Sequence, residues 1–311
     1  MSRHFDNAPS AVLPSLIATA LYASGIWFCR PEVSWASIAA AAALIAGTCF
    51  VLLASSRSFS ASTLPSIALV YLILVGCNAN ALVFDNLHVA ALLYALSMLS
   101  LLSEGDAGSL RGIGSRAGAG AIITLASFFF PPLIWMAVPA FCLIIGSASD
   151  KSRFTTAYLS AIVMTIAVYA GIIYLRSSLP EMLEKLSGYG LAIITVPGRN
   201  LHISPAVFVS LALIATGAAT ATTMMLKELR RSSISRRATS TCSIIYLLCT
   251  LVICLIFGGD LSKPYGLIVN LPLSMILGSF LSESRPSSVR TALIFIFIVI
   301  IIAERTLLLI N

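Results

Sequence analysis

Apolar runs of membrane-spanning length follow one another along almost the whole chain. A helix needs about twenty residues to cross roughly 30 Å of hydrocarbon at about 1.5 Å per residue. Runs of this order, separated by short polar segments, cover residues 11–29, 34–54, 62–80, 86–103, 113–130, 132–149, 154–175, 204–225, 241–258, 264–281 and 288–306. The pattern predicts an all-α, polytopic transmembrane helical bundle with about 11 spans, in a range of roughly 9–12. Residues 1–311 then form a single integral membrane domain.

Pro131 and Pro132 join the fifth and sixth runs and leave three paths open. The chain could make two full spans, a re-entrant hairpin that stops within the membrane, or one long irregular crossing. The first two paths return the chain to the side from which it came. A single crossing would instead place Lys151 and Arg153 opposite Arg111, which weakens the separation of charge between the two sides. The charge distribution therefore favours a chain that turns back.

Lysine and arginine then concentrate on one side of the predicted bundle. Cytoplasmic loops of inner-membrane proteins carry an excess of these residues. The richer side holds Arg3, Arg57, Arg111, Arg116, Lys151, Arg153, Lys227, Arg230, Arg231, Arg236, Arg237, Arg285 and Arg290. The other side holds Arg30, Arg176, Lys185, Arg199, Lys263 and Arg305. The N terminus is therefore predicted to be cytoplasmic, and the protein integral to the bacterial inner (cytoplasmic) membrane.

The loop at residues 176–203 falls on the outer side and contains an amphipathic pattern. Ser178 and Glu181 have the spacing of a capping box, and apolar residues follow at helical intervals until Gly188, a predicted stop. These features predict a short helix on the membrane surface. The apolar run at 191–196 is too short to span a bilayer.

Composition excludes a water-soluble fold. The chain is 59% hydrophobic and 10% charged, whereas soluble domains are about half apolar and about a quarter charged. The net charge of +7 is explained by the positive-inside rule, so no nucleic-acid partner is inferred. The lipid bilayer is the expected partner, with a lipid-linked substrate or other membrane proteins as further candidates.

Neither a metal nor a cofactor is expected from the sequence. The seven cysteines lie within or at the ends of apolar runs and form no C-x-x-C pair, so they are interpreted as packing residues. Gly112, Gly114 and Ala117 match a dinucleotide-binding spacing, but no strand precedes them and no acid follows at the required distance. Gly114 and Gly118, with Gly120, are instead expected to permit close helix packing.

Polar side chains gather at the outer end of the third and fourth runs, between Cys77 and His88. Asp85 or Asn86 would be a favourable N-cap for the helix that follows, and capping alone explains the segment. The functional alternative is an outward-facing polar cavity, because polar side chains at membrane depth usually face the protein interior. Its candidate catalytic residues are Glu32, Asp85 and Asp260; its candidate ligand-binding residues are Asn78, Asn80, His88, Arg199 and His202.

Two further features have both structural and functional interpretations. Asn270 lies in the tenth run, two residues before Pro272, where a kink with Ser274 as a hydrogen-bond donor competes with a ligand contact. The basic cluster at 227–237 is a topology determinant or a binding site for anionic lipid headgroups.

Three stretches carry a resemblance to a known family. They are residues 86–96 (N-L-H-V-A-A-L-L-Y-A-L), Ser109 to Arg111 before the F-F-F-P-P turn, and residues 267–281 (L-I-V-N-L-P-L-S-M-I-L-G-S-F-L). Together they resemble an uncharacterised family of multispanning inner-membrane proteins of Bacteroidota. That family is distantly similar in layout to the GT-C glycosyltransferases, which transfer a sugar from a polyprenyl-phosphate carrier. The resemblance implies a catalytic carboxylate in the first outer loop, where Glu32 is present without a second acid.

Three functions follow as hypotheses, and whether the protein is an enzyme stays open. The preferred hypothesis is an accessory component of cell-envelope biogenesis, because every candidate constellation also has a structural explanation. The second is a GT-C-like glycosyltransferase that uses Glu32, Asp85 and the loop at residues 176–203. The third is a transporter or lipid flippase with Asn270 and the Pro131 turn in its pathway.

Overall fold

A computed structural model describes residues 34–54, 64–76, 79–102, 110–147, 151–196, 219, 222, 223, 234–258 and 264–282. Every regular element in these residues is helical, and they contain no strand. The predicted runs at 11–29 and 288–306, and nearly all of 204–225, lie outside the described residues.

The described ranges contain nine α-helices and two 3₁₀ helices. The α-helices are α1 (Trp35–Ala54), α2 (Leu64–Gly76), α3 (Asn86–Leu102), α4 (Leu110–Phe129), α5 (Ala137–Ser147), α6 (Lys151–Arg176), α7 (Leu179–Ile194), α8 (Ile234–Phe257) and α9 (Gly266–Ser282). The 3₁₀ helices are Ala79–Leu82, before α3, and Pro131–Met136, between α4 and α5. The all-α prediction is thus correct for these residues.

Three of these helices are long and apolar enough to cross a membrane. They contain the segments Trp35–Ala54, Gly112–Phe129 and Lys151–Arg176, in α1, α4 and α6. Shorter apolar helices occupy five more of the predicted positions, at Ile67–Gly76, Asn86–Leu102, Pro131–Gly146, Thr241–Phe257 and Gly266–Ser279. Length and composition therefore support three spans directly.

Helices α4 and α6 are parallel, which defines the path of the chain between them. Arg116, near the start of α4, lies over the ring of Phe154 near the start of α6. Phe128, near the end of α4, stacks on Tyr169 of α6 with 3.9 Å between ring centroids. The chain must therefore return between these helices. The 3₁₀ helix Pro131–Met136 and α5 make that return, so a single crossing from α4 to α5 does not occur.

Two hydrogen bonds relate α1 and α3 to the same bundle. The backbone N–H of Phe84, just before α3, donates to Ser37 Oγ at the start of α1 over 3.0 Å, so α1 and α3 begin at one end. Ser97 Oγ of α3 donates to the carbonyl of Ala119 in α4 over 3.0 Å, consistent with antiparallel packing. We call the end with the starts of α4 and α6 the basic end, and the end with the two 3₁₀ helices the turn end.

The core lies between α3 and its neighbours. Small side chains on α3, including Ala90, Ala91 and Ala95, are at most 1% exposed, which lets neighbouring helices approach closely. The closest approach is between α9 and α2, where a Cβ on Gly278 would lie 2.5 Å from Ile67 Cα. This position therefore requires glycine.

Helix α7 is longer than the sequence predicts. It continues through Gly188 and Gly190 to Ile194, so the predicted stop at Gly188 is wrong. Ser178 occupies the N-cap position, but its side chain makes no capping hydrogen bond, so the capping box does not form. A glycine within a helix costs about 1 kcal/mol relative to alanine, and packing of the following turn against Pro131–Met136 offsets that cost.

Candidate functional site

The turn that precedes α3 contains Asp85 and His88, two of the predicted site residues. Asp85 Oδ1 accepts a hydrogen bond from the backbone N–H of Leu87 over 3.1 Å. This contact confirms Asp85 as an N-cap of α3, because it satisfies one of the helix's unpaired N–H groups. The side chain of Asp85 therefore has a local structural role.

Both ring nitrogens of His88 are hydrogen-bonded to the backbone. The N–H of Asp85 donates to Nδ1 over 3.1 Å, which makes Nδ1 the acceptor and leaves the proton on Nε2. Nε2 then donates to the carbonyl of Ala81 over 2.8 Å. His88 is 1% exposed, so the ring is a buried connector between the first 3₁₀ helix and α3.

The geometry resembles a capping box in which histidine replaces the usual glutamate. In that motif the residue three positions into the helix accepts a hydrogen bond from the N-cap N–H, as His88 does from Asp85. The ring of Phe84 also stacks on His88, with centroids 6.2 Å apart. The polar segment therefore builds a rigid turn.

The structure does not describe the side chains of the other residues predicted for this cavity. Asn80 lies in the 3₁₀ helix Ala79–Leu82, but its side chain is not described. Residues Glu32, Asn78, Arg199, His202 and Asp260 are likewise outside the described ranges. Their convergence on one cavity stays a prediction.

Asn270 lies in α9 and is 4% exposed. Pro272 is inside the same helix and removes the hydrogen bond to the carbonyl four residues earlier. Ser274 Oγ donates to the carbonyl of Leu271 over 2.8 Å, not to the carbonyl of Ile268 that Pro272 leaves without its usual donor. Asn270 is thus buried in a closely packed helix.

A buried tyrosine network at the centre of the bundle was missed by the sequence analysis. Tyr94 of α3 and Tyr246 of α8 are each at most 1% exposed and stack with centroids 5.9 Å apart. Thr250 Oγ1 donates to the carbonyl of Tyr246 over 2.6 Å, so the Tyr94 hydroxyl donates to Thr250 Oγ1 over 2.7 Å. One sequence signal could have identified these tyrosines, namely that they lie inside apolar runs. Tyrosines of membrane proteins are usually found at the membrane interfaces instead.

Helix α7 is joined to the end of α4 and to the Pro131–Met136 turn by hydrogen bonds. Ser127 Oγ donates to the carbonyl of Thr124 over 2.6 Å, so the Tyr189 hydroxyl donates to Ser127 Oγ. Trp135 Nε1 donates to the carbonyl of Ile193 over 3.2 Å. Burial raises the pKa of the Tyr189 phenol, which keeps its proton available for donation at neutral pH.

The glycines and cysteines only partly match their predicted roles. A Cβ on Gly120 would lie 3.0 Å from the Tyr158 ring and carbonyl, whereas Gly114 and Gly118 have no neighbouring atom within 4 Å. Close packing therefore occurs at Gly120 and not at the G-x-x-x-G pair. Among the described cysteines, Cys49, Cys242 and Cys254 are buried, Cys249 is half-buried and Cys142 is exposed.

In the described ranges, no three His, Cys, Asp or Glu residues come together as a metal-binding group.

Comparison with curated proteins finds no match to this chain. A family model does match, over residues 16–307, which include every described helix. The chain therefore belongs to the family described as "Family of unknown function (DUF6427)".

Proposed function

We propose that this protein is a multispanning component of the bacterial inner membrane, with about eleven spans and a cytoplasmic N terminus. The exposed surface of α6 supports a membrane environment. Only 11% of the most apolar 18-residue segment of α6 is buried. Val163, Met164 and Val168 are each more than half exposed. Soluble proteins rarely expose contiguous apolar surface of this kind.

The proposed orientation is supported by the path of the chain. Because α4 and α6 are parallel, Arg116, Lys151 and Arg153 belong to the basic end, whereas Arg176 and Lys185 belong to the turn end. This distribution agrees with the charge count made on the sequence. The positive-inside rule assigns the basic end to the cytoplasm, and α7 to the outer surface as an interfacial helix.

In this membrane, we infer an accessory role in cell-envelope biogenesis rather than catalysis at the turn before α3. The observation that carries this inference is that the side chains of Asp85 and His88 form hydrogen bonds to the backbone. The Asp85 carboxylate caps α3, and both nitrogens of His88 bond to the backbone. A general base needs a lone pair directed at the substrate proton, whereas Asp85 Oδ1 and both His88 nitrogens are directed at the protein's own backbone.

The structural and catalytic roles of Asp85 are separated by two substitutions. Asparagine caps helices about as well as aspartate but cannot act as a carboxylate base. We therefore expect Asp85→Asn to restore growth under envelope stress in cells that lack the native protein. Asp85→Ala should destabilise the protein by about 1 kcal/mol, because the cap is lost. Glu181→Gln, which neutralises an exposed acid on α7, is the matched control.

Growth is measured together with the amount of protein in the membrane and its thermal unfolding midpoint in detergent. If Asp85→Asn inserts and unfolds like the wild type yet fails to restore growth, the accessory proposal is wrong at this site. That result would favour a carboxylate-dependent reaction, as in a glycosyltransferase. An accessory role also predicts that wild type and Asp85→Asn retain the same membrane partner during purification in mild detergent.

A further inference from the structure

Arg116 holds an unusual position at the basic end of the bundle. Its guanidinium lies 4.1 Å from the centroid of the Phe154 ring, and Phe154 itself is fully buried. The guanidinium therefore covers the end of the core between α4 and α6 and is held there by a cation–π contact. Its position is set by packing.

One nitrogen of this guanidinium, Nη1, is buried, and the described part of the chain offers it no hydrogen-bond acceptor. A guanidinium carries five N–H donors and accepts none, and a buried donor left without a partner is destabilising. Such a group is expected to recruit an anionic acceptor from outside the chain.

Two further basic residues lie on the first turn of α6, just before the Phe154 ring that Arg116 covers. Lys151 lies three residues before Phe154 on α6 and is exposed, so it occupies the same face of the helix about one turn nearer the basic end. Arg153 is also exposed on this turn. The neighbouring loops contain the acids Glu104, Asp106 and Asp150, which lie outside the described residues.

We propose that Arg116 and Lys151 form a binding site for the phosphate of an anionic membrane lipid. Arginine presents paired N–H groups that match two phosphate oxygens, and Lys151 adds a mobile ammonium. Arg116 falls within the apolar window Gly112–Phe129, four residues from its start, about 6 Å along the helix. This depth suits a lipid headgroup at the hydrocarbon boundary better than a phosphate ion in water.

The proposal rests on the membrane environment proposed above, but it does not depend on the orientation. If labelling showed the reverse orientation, the site would bind lipid in the outer leaflet instead. Binding can therefore be measured on the purified full-length chain in detergent, where sidedness has no effect.

Native mass spectrometry with added phosphatidylglycerol provides the test, with phosphatidylcholine as the neutral comparison. We expect wild type to bind phosphatidylglycerol more tightly than phosphatidylcholine. Arg116→Gln should weaken the binding of the first phosphatidylglycerol molecule by about tenfold, since hydrogen bonds to charged groups contribute about 1.5–3 kcal/mol. Lys151→Gln should weaken it less. Arg176→Gln, at the turn end of α6, should leave the affinity unchanged.

Several outcomes would overturn the proposal. One is an unchanged phosphatidylglycerol affinity in Arg116→Gln that unfolds at the wild-type temperature. Another is full displacement of the lipid by inorganic phosphate at an equal concentration, which would identify a site for free phosphate. If Arg116→Gln does not fold, Arg116→Lys and Lys151→Gln replace it in the test. A phosphatidylglycerol affinity equal to that of the wild type in both variants would refute the site.

Discussion

At the scale of single residues, the buried hydroxyls of Tyr94, Tyr158 and Thr250 have hydrogen-bond partners within the protein. Thr250 Oγ1 donates to the carbonyl of Tyr246 and accepts from the Tyr94 hydroxyl, so neither the Thr250 nor the Tyr94 hydroxyl depends on water. Tyr158 likewise donates to the carbonyl of Ala137 over 3.0 Å. In hydrocarbon, an unsatisfied polar group costs several kcal/mol. The network therefore lets tyrosines occupy the centre of an otherwise apolar core.

Gly278→Ala should destabilise the protein, because the new methyl would lie 2.5 Å from Ile67 Cα in the backbone of α2. Overpacking of this kind costs about 1–3 kcal/mol. The measurement is thermal unfolding in detergent, followed by reaction of a thiol dye with the buried Cys49, Cys242 and Cys254. Gly171→Ala on α6, where a Cβ meets nothing within 4 Å, is the control and should be neutral or slightly stabilising. Equal midpoints for the two variants would contradict the predicted clash.

At the scale of elements, α7 depends on neighbouring elements for its length. Beyond Gly188, the predicted end, Tyr189 contacts Ser127 and Phe128 of α4, and the carbonyl of Ile193 accepts a hydrogen bond from Trp135 in the Pro131–Met136 turn. Exposed Leu179 and Leu183 lie on the adjacent part of its apolar face, opposite Glu181 and Glu184. This arrangement fits a helix that rests partly on protein and partly on the lipid interface.

Tyr189→Phe should loosen the second half of α7 without unfolding the bundle. The substitution removes the hydrogen bond to Ser127 but keeps a ring that can contact Phe128, whose centroid lies 5.4 Å from that of Tyr189. A loss of about 1 kcal/mol gives roughly fivefold faster amide exchange in that segment. Hydrogen–deuterium exchange by mass spectrometry measures it. Tyr174→Phe, on an exposed tyrosine of α6, should leave exchange in α7 unchanged, and equal exchange in both variants would contradict the proposed docking.

At the scale of the whole molecule, the described helices have two chemically different ends. The starts of α4 and α6 share the basic end with Arg116 and Lys151, and the two 3₁₀ helices share the turn end with α7. The turn at Pro131 produces this separation, because it returns the chain before α6 begins. A chain that crossed once at this point would have mixed the charges.

The proposed orientation predicts opposite labelling of two exposed serines, Ser152 at the basic end and Ser187 on α7. Single-cysteine variants are made at each site in a background whose native cysteines are replaced. In intact spheroplasts, a membrane-impermeant maleimide should label Ser187→Cys at once and Ser152→Cys only after permeabilisation. The parent without cysteine is the control. Labelling of Ser152→Cys alone in intact cells would reverse the orientation, and labelling of both would refute the two-ended arrangement.

The sequence by itself determined the positions of the described helices and the cap at Asp85. Helix boundaries agree within a few residues for α1, α3 and α9, because each hydrocarbon-length run satisfies its own backbone hydrogen bonds. An N-cap is similarly local, since acceptor and donor lie two residues apart. Asp85 could therefore be identified without knowledge of any distant contact.

Only the tertiary structure decided which groups meet across helices. Whether the chain returns at Pro131, whether Gly118 or Gly120 packs closely, and where α7 ends all depend on neighbours distant in sequence. The position of the buried Arg116 Nη1 and the partners of Tyr94 likewise depend on residues distant in sequence. Apolar periodicity reports that a face is buried but not which residue it faces, so these features required the packed bundle.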